Sequence, residues 1–390
     1  MWPWTSWVLG MVLLGLVGLP ETSLAQQETA TIIGKAVDAQ QAAVPGVTVT
    51  VRNVETGFTR TAVTDANGGY RIAAIPPGSY ELSAELAGFA TSRRRGVTLT
   101  VGAQSVVNFQ MAVAGVTEQV TVEADVPVVE TTTATVQGTL RREQIETLPI
   151  AGRNYTNILR LMPGAAANNS SFSFGGSRGR SNTWVVDGVH NTNEISGFQN
   201  QIPALDSIQE VQVLVNGFKA EYGQASGGIV NVITRSGGNE FRGNAVALFQ
   251  DNSLRAQSPY ANRALPRDPN DRLRYGFTVS GPIVRNRLHF LTTYEREDRE
   301  FVSATTATLP SIDQINAANV ATQSFLAANN IDISRFGAGG TQRLVRPEKV
   351  EVNKFTARLD HQTTSNQFTT VRYLMDTNFD GSGENGTLFD

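Results

Sequence analysis

The side chains that most often bind metals or move protons are scarce in this sequence. Its 390 residues include no cysteine and only 3 histidines, and His190, His289 and His361 are too far apart to have the spacing of a metal site. Disulfides, iron–sulfur clusters and cysteine-rich zinc folds are therefore excluded. We expect structural roles for the three histidines, with no metal site and no cofactor.

Two segments match functional motifs only in part. Residues 175–179, GGSRG, have the G-x-S-x-G pattern of a serine nucleophile, which needs a strand before it, a helix after it, and histidine and acid partners. Polar loop sequence flanks the motif here. Residues 376–381, DTNFDG, match the first half of a calcium-binding loop, but Thr387 stands where a bidentate Glu is required. The sequence therefore predicts no catalytic residues and no enzyme.

Charged side chains are few and nearly balanced. Lys and Arg number 32 and Asp and Glu 35, for a net charge of −3, whereas a nucleic-acid-binding protein usually has a strongly basic face. Charged residues make up 17% of the chain, against roughly 25% in ordinary soluble domains. We therefore expect no nucleic-acid partner and a polar surface made largely of uncharged side chains.

The N-terminus has the pattern of a secretory signal peptide. An apolar run over residues 8–19 ends at Pro20, and Ser23 and Ala25 are small residues suited to a cleavage site. The run is too short for a spanning helix, and no later stretch reaches the roughly 18 apolar residues that a membrane helix needs. We predict a signal peptide over residues 1–25, although no Lys or Arg precedes the apolar run. If the mature chain enters a membrane, it does so as strands.

Residues 26–113 alternate short β-type runs with turn signals such as Asn67-Gly68 and Pro76-Pro77-Gly78. About seven strands at spacings near 8 to 12 residues predict a small antiparallel sandwich. The stretch PGVTVTVRNVETGFTRTAVTDANGGYRIAAIPPGSYELSAELAGF resembles the carboxypeptidase regulatory-like domain, a transthyretin-like β-sandwich. A spacer or docking role and glycan binding both remain open. A zinc peptidase is excluded because clustered His and Glu ligands are absent from the sequence.

Residues 128–239 mix helical and strand patterns with Gly-, Asn- and Ser-rich loops. Helical patches are predicted at 140–147 and 155–162, and strands at 183–187, 208–215 and 229–234. This mixture is typical of an α+β domain with long polar loops.

Residues 240–390 show strand periodicity. In residues 273–280 the odd positions are Leu, Tyr, Phe and Val, whereas the even positions are Arg, Gly, Thr and Ser. Such alternation is typical of transmembrane barrels and also of soluble sheets with one wet face. About five strands are predicted, at 241–250, 272–282, 287–296, 351–361 and 367–376, with a helix possible within 311–329. Loop lengths alternate long, short, long, short, and barrels have short periplasmic turns, so the preceding domain is expected on the periplasmic side.

Three further strings carry a second resemblance: IETLPIAGRNYTNILRLMPG, GGSRGRSNTWVVDGVHN and LDSIQEVQVLVNGFKAEYGQASGGIVNVITRSGGNEFRGN. They are similar to the plug domain of TonB-dependent outer-membrane receptors, in particular the Oar-like branch with a sandwich in front. The resemblance implies a mainly β protein: the sandwich, an α+β plug, and the first strands of an antiparallel transmembrane β-barrel. The barrel is expected to be incomplete here, since even the smallest bacterial barrels have eight strands, and the chain is expected to be an N-terminal fragment.

The same resemblance suggests functional residues. A linker over residues 114–127 contains a candidate TonB box, an extended segment suited to strand addition on TonB. The box comprises Glu118, Gln119, Val120, Thr121, Val122, Glu123 and Ala124. The candidate ligand-facing loop residues are Arg178, Arg180, Asn182, His190, Asn191 and Asn193. Glu221 and Arg235 are expected where plug meets barrel.

The implied function is uptake of a scarce siderophore-like, oligosaccharide or peptide ligand through the outer membrane of a Gram-negative-type bacterium. The expected partners are TonB with its inner-membrane proton-motive-force complex, outer-membrane lipid and an unknown extracellular ligand. Sandwich and plug are expected on the periplasmic side. The alternative is a periplasmic or surface carbohydrate-binding β-sandwich protein without transport.

Overall fold

The protein folds into three units, which are called here the sandwich, the central domain and the C-terminal sheet. A computed structural model describes residues 29–114, 119–123, 136–148, 150–168, 171–218, 225–254, 256, 270–328, 340–364 and 367–380. The predicted signal peptide, residues 1–25, lies outside these ranges.

No helix in the described part of the chain is long and apolar enough to span a membrane.

The sandwich occupies residues 29–114 and consists of two packed sheets. Its strands are β1 (Ala30–Val37), β2 (Thr48–Asn53), β3 (Thr59–Val63), β4 (Gly69–Ile75), β5 (Gly78–Glu85), β6 (Thr91–Leu99), β7 (Gln104–Val106) and β8 (Phe109–Gln110). One sheet has the order β4-β1-β7, with β8 also paired to β1, and the other contains β3-β2-β5-β6. About seven strands were predicted for this domain, and the structure has eight within residues 29–114, of which the last two, β7 and β8, are short.

Alternating apolar residues fill the space between the two sheets. Val49 and Val51 on β2 are fully buried, as are Tyr80 and Leu82 on the neighbouring β5. Successive strand residues point to opposite faces, and Thr48 and the other even positions of β2 accordingly lie outside this core. The alternation that predicted a half-buried strand here is confirmed.

A ninth strand, β9 (Gln119–Glu123), extends the second sheet of the sandwich to the order β3-β2-β5-β6-β9. It pairs in parallel with β6, with Thr91 opposite Gln119 and Arg95 opposite Glu123. The segment predicted as a linker therefore contributes a strand to the sandwich sheet.

The central domain, residues 136–241, is built on a mixed sheet with the order β10-β15-β16-β13-β14. Its strands are β10 (Val136–Arg141), β11 (Ala165–Asn168), β12 (Ser171–Phe174), β13 (Thr183–Val186), β14 (Val189–His190), β15 (Ile208–Asn216) and β16 (Ile229–Thr234). The helix α1 (Arg142–Thr147) and the 3₁₀ segments Ala151–Arg153 and Tyr155–Leu161 connect β10 to the β11–β12 hairpin. The predicted helical patch at 140–147 therefore begins two residues late, because Leu140 pairs with Val211 in the sheet.

The C-terminal sheet is a five-stranded antiparallel meander in chain order. Its strands are β17 (Arg242–Gln250), β18 (Asn270–Val284), β19 (Leu288–Leu309), β20 (Gly340–Thr364) and β21 (Gln367–Asp380). Both ends of the segment 297–350, which was predicted as a loop, are strand, since β19 and β20 stay paired as far as Leu309 and Gly340. Instead of one helix over 311–329, two short helices follow β19: α2 (Ile312–Asn316), capped by Ser311 and Gln314, and α3 (Val320–Ala328).

The two faces of the C-terminal sheet differ in polarity. On β18 the side chains of Leu273, Tyr275, Phe277 and Val279 are each at least 40% exposed. The intervening Arg274, Thr278 and Ser280 are at most 5% exposed because they face the central domain and its neighbours. The predicted apolar-out, polar-in alternation is therefore present in the structure.

Candidate functional site

The surface between the central domain and the C-terminal sheet concentrates buried charge. Arg153, at the end of a 3₁₀ turn, forms an ion pair within its own domain, with Nη2 2.7 Å from Asp206 Oδ1. It also reaches across the interface, with Nε 3.3 Å from Glu295 Oε2 on β19. Burial alone would lower the pKa of Arg153, but the two carboxylates outweigh it and raise that pKa. Arg153 is therefore held charged between the two units.

The charge network continues along the C-terminal sheet. Glu295 Oε1 lies 3.8 Å from Arg274 Nε on β18, and Arg274 also pairs with Glu297. Arg272 Nε is 2.9 Å from Glu297 Oε1. Arginines on β18 thus face glutamates on β19 at the place where Arg153 contacts the sheet. Each of these buried charges therefore has a partner of opposite sign.

A second cluster surrounds Asp187, which follows β13. Its Oδ1 accepts a 2.6 Å hydrogen bond from the backbone N–H of Thr234. Across the interface it pairs with Arg372 on β21 and lies 3.7 Å from Arg358 Nη1 on β20. Arg358 also pairs with Asp360 at 2.9 Å and donates to the Thr234 carbonyl at 2.7 Å. The cluster ties two strands of the sheet to two segments of the central domain.

Arg153 and Asp187, which form ion pairs with the sheet, have the same unusual backbone conformation. Arg153 has φ 47° and Asp187 has φ 43°, in the left-handed region that non-glycine residues seldom adopt. Such a conformation costs on the order of 1–3 kcal/mol and persists when surrounding contacts favour it. Both residues adjoin a glycine, in the strings AGRN and VDGV. A charged residue beside a glycine is the sequence signal that could have identified them, and sequence reasoning missed both.

Two hydrogen bonds to carboxylate oxygens also cross this interface. Asp376 Oδ2 on β21 accepts a 2.8 Å hydrogen bond from the backbone N–H of Ile202, and Asn244 on β17 donates to Asp206 at 3.1 Å. This contact surface, called here the seat of the central domain, therefore consists of ion pairs and hydrogen bonds, together with Leu374 of β21, which packs against the core of the central domain.

Of the two residues predicted for this interface, Arg235 is among the described residues. Glu221 lies outside the described residues. Arg235 donates through Nη1 to the Asp206 carbonyl at 3.1 Å, and its backbone N–H donates to Ser207 at 2.8 Å. These bonds direct Arg235 onto its own domain. The ion pairs with the sheet are made by Arg153 and Asp187. A contact of Arg235 with the sheet stays a prediction, next to Thr234, whose carbonyl accepts a hydrogen bond from Arg358.

The six predicted ligand-facing residues divide into two groups. Arg178, Arg180 and His190 are exposed, and His190 lies 3.6 Å from Glu194. Asn182 and Asn191 are only 3% and 8% exposed. Asn182 donates to the Phe172 carbonyl and accepts from Gly228, and Asn191 bonds to both backbone groups of Gln201.

The predicted ligand-facing placement is therefore wrong for Asn182 and Asn191, which hold loops together from inside the domain. Asn193 is half-buried, and its side-chain oxygen accepts from the N–H groups of Ile195 and Ser196. Loop-forming asparagines satisfy nearby backbone donors in this way, so polar composition alone does not distinguish them from ligand contacts.

The loops that carry the exposed residues pack together as one surface. Gly197 has φ +73°, and a Cβ there would lie 2.5 Å from the Cα of Arg180. The carbonyl of Gly197 also accepts a 3.1 Å hydrogen bond from the indole of Trp184. Arg180 and the 190–200 loop are thus held in close contact.

The candidate TonB box is described for residues 119–123, which form β9, whereas Glu118 and Ala124 lie outside the described residues. Ser177 of the GGSRG string donates to the adjacent Arg178 carbonyl at 3.5 Å. Among the described residues, no three His, Cys, Asp or Glu side chains come together as a metal site.

The sandwich contacts both other units. Val101, just after β6, donates its N–H to Glu210 Oε1 at 2.7 Å and accepts from Gln212 Nε2 at 3.0 Å. Phe58 packs edge-on against Phe368 of β21, with ring centroids 5.9 Å apart. The sandwich is therefore anchored to the central domain and to the start of β21.

Family comparisons match three consecutive parts of the chain. Residues 31–112 match the carboxypeptidase regulatory-like domain, residues 128–230 the TonB-dependent receptor plug domain, and residues 233–333 an outer membrane beta barrel domain. The order of the three is that of the sandwich, the central domain and the C-terminal sheet.

The central domain is therefore similar to the plug of TonB-dependent receptors, and the C-terminal sheet is similar to an outer membrane beta barrel. The two units are called the plug and the barrel strands below, after the domains that they match. The match to an outer membrane beta barrel domain supports an outer-membrane location.

Curated relatives agree with this assignment. The TonB-dependent transporter Oar of Myxococcus xanthus is 29% identical over 293 residues, 71% of this chain and 27% of the relative. The probable TonB-dependent siderophore receptor PirA of Acinetobacter baumannii is 28% identical over 174 residues, 39% of this chain and 21% of the relative. This receptor chain thus spans about a quarter of the length of the curated relatives that it matches.

Solved structures with similarity to this chain include a siderophore receptor and an outer membrane transporter. The siderophore receptor PirA from Acinetobacter baumannii is 20% identical with a TM-score of 0.40, over 63% of this chain and 32% of that one. The outer membrane transporter YddB from Escherichia coli is 13% identical with a TM-score of 0.43, over 62% of this chain and 33% of that one.

Proposed function

We propose that this receptor imports a scarce ligand across the outer membrane, with energy relayed by TonB from the inner-membrane proton motive force. In this proposal the ligand binds from outside, TonB adds a strand to the box at residues 118–124, and force on the box moves the plug. The observation that carries the proposal is the polar seat of the plug on the barrel strands. Arg153 with Glu295, and Asp187 with Arg358 and Arg372, are contacts that water can replace during movement.

The position of the sandwich supports a periplasmic orientation for sandwich and plug. The short connection 285–287 joins β18 to β19, and Asn286 in it lies against Gly57 of the sandwich. Phe368, near the start of β21, packs on Phe58. Short turns of outer-membrane barrels face the periplasm, so the sandwich lies on that side in the proposed arrangement.

The opposite side carries the proposed ligand surface. Ile202, at the end of the loop that follows β14, bonds to Asp376, the tenth residue of β21 counted from Gln367. Nine steps along a strand correspond to roughly 30 Å, about the thickness of the hydrocarbon core. The exposed Arg178, Arg180 and His190 belong to loops packed beside this one, and they are the proposed ligand contacts of the plug.

The ligand class is the siderophore-like, oligosaccharide or peptide group expected from the resemblance. Two exposed arginines and a histidine suit an anionic or hydrogen-bond-rich molecule. One relative is described as a probable siderophore receptor, which supports a siderophore-like ligand as the first to test.

A strand-addition experiment tests the proposal. Val120→Pro removes a main-chain N–H from the box, whereas Val120→Ala keeps it and serves as the matched control. We expect the purified C-terminal domain of TonB to bind the detergent-solubilised receptor and its Val120→Ala variant, but not the Val120→Pro variant. Undiminished binding by a well-folded Val120→Pro receptor would show that this segment is not the TonB box.

A further inference from the structure

The candidate box is already part of a sheet before TonB is present. Strand β9 pairs with β6 through five registered positions, from Thr91 opposite Gln119 to Arg95 opposite Glu123. The pairing is parallel, and β9 is the last strand of the five-stranded sheet. Its outer edge therefore has no partner strand in the described part of the chain.

A strand has two edges that can bond independently. Successive residues direct their N–H and C=O groups to opposite sides of the strand, so pairing with β6 uses alternate residues of β9 only. The remaining groups point away from the sandwich, in the extended geometry that a further strand requires. The box is thus held on one edge and open on the other.

The platform that holds the box is rigid. On β6, Ser92, Val97 and Leu99 are each at most 4% exposed, inside the sandwich. Val101, two residues beyond β6, is clamped between Glu210 and Gln212 of the plug. The edge of β6 is therefore fixed relative to the plug that the box would pull.

We propose that the sandwich presents the TonB box: the edge of β6 holds residues 119–123 extended, and the strand of TonB adds to the outer edge of β9. This inference rests on the proposed function of the box. Ordering a flexible segment costs conformational entropy when a partner binds, and pairing with β6 removes that cost in advance. The sandwich then acts as part of the TonB-binding surface and not as a spacer.

A reversible crosslink tests presentation, because the sequence contains no cysteine. Arg93 is registered with Thr121, and Arg93→Cys with Thr121→Cys places a thiol pair across β6 and β9. Arg93 is chosen because Arg94 contacts Asn108 and Arg95 contacts Glu81. Neighbouring strands lie about 4.8 Å apart, within the Cα separation that a disulfide bridges. The control pair Arg93→Cys with Glu123→Cys is two residues out of register and should not crosslink.

The readout is binding of the C-terminal domain of TonB to the detergent-solubilised receptor, oxidised and reduced. We expect the registered pair to oxidise and the crosslinked receptor to bind at least as tightly as the reduced one. Failure of the registered pair to crosslink would overturn the proposal, because β9 would then not be paired with β6. A loss of more than about tenfold in affinity for TonB on oxidation would also overturn it, because TonB would then have to displace β6. If TonB binds neither form nor the wild type, the proposed function itself fails.

Discussion

At the scale of single residues, burial decides which charges matter. Arg153 and Asp187 are ordinary charged residues in the sequence, yet their side chains are only 20% and 14% exposed and each meets an oppositely charged partner on the barrel strands. A solvated surface pair contributes about 0 to 1 kcal/mol, whereas removing one partner of a buried pair leaves an uncompensated charge. These two residues therefore make the ion pairs between the plug and the barrel strands.

Glu210 is the most strongly perturbed carboxyl among the described plug residues. Burial raises its pKa from 4.5 to about 7, although the hydrogen bond from Val101 and the charge of Arg141 act in the opposite direction. A raised pKa means that the neutral form is favoured in the folded state. The contribution of neutral Glu210 to the free energy of unfolding is fully present below about pH 4.5 and is lost as the pH rises through about 7.

Glu210→Gln should therefore stabilise the plug at about pH 8 and have little effect at about pH 5. Glutamine stays neutral and keeps an acceptor for the Val101 N–H. The gain at high pH is expected to reach roughly 3 kcal/mol at most. Urea unfolding of the detergent-solubilised protein, followed by fluorescence of the buried Trp184, measures the difference between variant and wild type.

The control for removing a carboxylate is Glu143→Gln, at an exposed position on α1. It should leave the pH dependence of the wild type unchanged. A Glu210→Gln effect of equal size at both pH values would mean that Glu210 does not titrate in this range.

At the scale of elements, β18 shows how one strand faces two environments. Its exposed side chains are large and apolar, and its buried side chains are polar and face the plug. Phe277 on the outer face packs against Tyr294 of β19, with ring centroids 6.1 Å apart. An outer surface of this kind is suited to lipid.

Phe277→Arg should impair assembly in the outer membrane, because Phe277 is the eighth of the 15 residues of β18 and lies near mid-depth of the strand. A cationic residue there is expected to cost about 2–4 kcal/mol. The amount of heat-modifiable receptor in isolated outer membranes measures the effect.

Val284→Arg is the depth control. Val284 is also exposed but stands at the end of β18, beside Arg285, where a charge costs only about 0–1 kcal/mol. Equal yields for the two variants would argue against a lipid-facing position for Phe277.

At the scale of the whole molecule, the three units meet mainly through polar contacts, together with the aromatic pair of Phe58 and Phe368 and the packing of Leu374 on the plug core. The plug is seated by ion pairs, and the sandwich is joined to the plug by Val101 and to β21 by Phe58 and Phe368. A hydrophobic interface would stabilise the contact between units in proportion to its buried apolar area, whereas the contacts here depend mainly on a few side chains. Single substitutions should therefore loosen one unit from another without unfolding either.

Arg153→Met should loosen the plug from the barrel strands, because Glu295, only 6% exposed, loses its partner from the plug. The expected cost is up to about 3 kcal/mol, since Arg153 retains some exposure. Trp184 fluorescence during urea titration of the solubilised receptor should show a lower midpoint for the plug. Arg160→Met, at an exposed position in the next 3₁₀ segment, should have little effect. If the urea midpoint of Arg153→Met equals that of the wild type, Arg153 does not stabilise the contact between plug and barrel strands.

Local pattern in the sequence was enough to identify the three units and most of their strands. Alternation at period two predicted β18, because side-chain direction in a strand depends on its own residues. Turn residues such as Asn67-Gly68 marked the limits of strands in the sandwich. The extent of β19 and β20 was not predictable, since polar strand sequence beyond a membrane resembles loop sequence. The paired register from Leu288 to Leu309 is a property of two strands together.

What only the tertiary structure decided is which distant residues meet. Arg153 and Glu295 are separated by 142 positions, and nothing in either string selects the other. Asn182 and Asn191 have the composition of ligand loops but the burial of structural residues. The candidate box was identifiable as an extended segment, yet its parallel pairing with β6 depends on an open sheet edge. The sequence determined which segments are strands and which module each belongs to, because those properties are local. Ion pairs and strand partners depend on which distant segments of the chain come together, and the packing of the three units decides that.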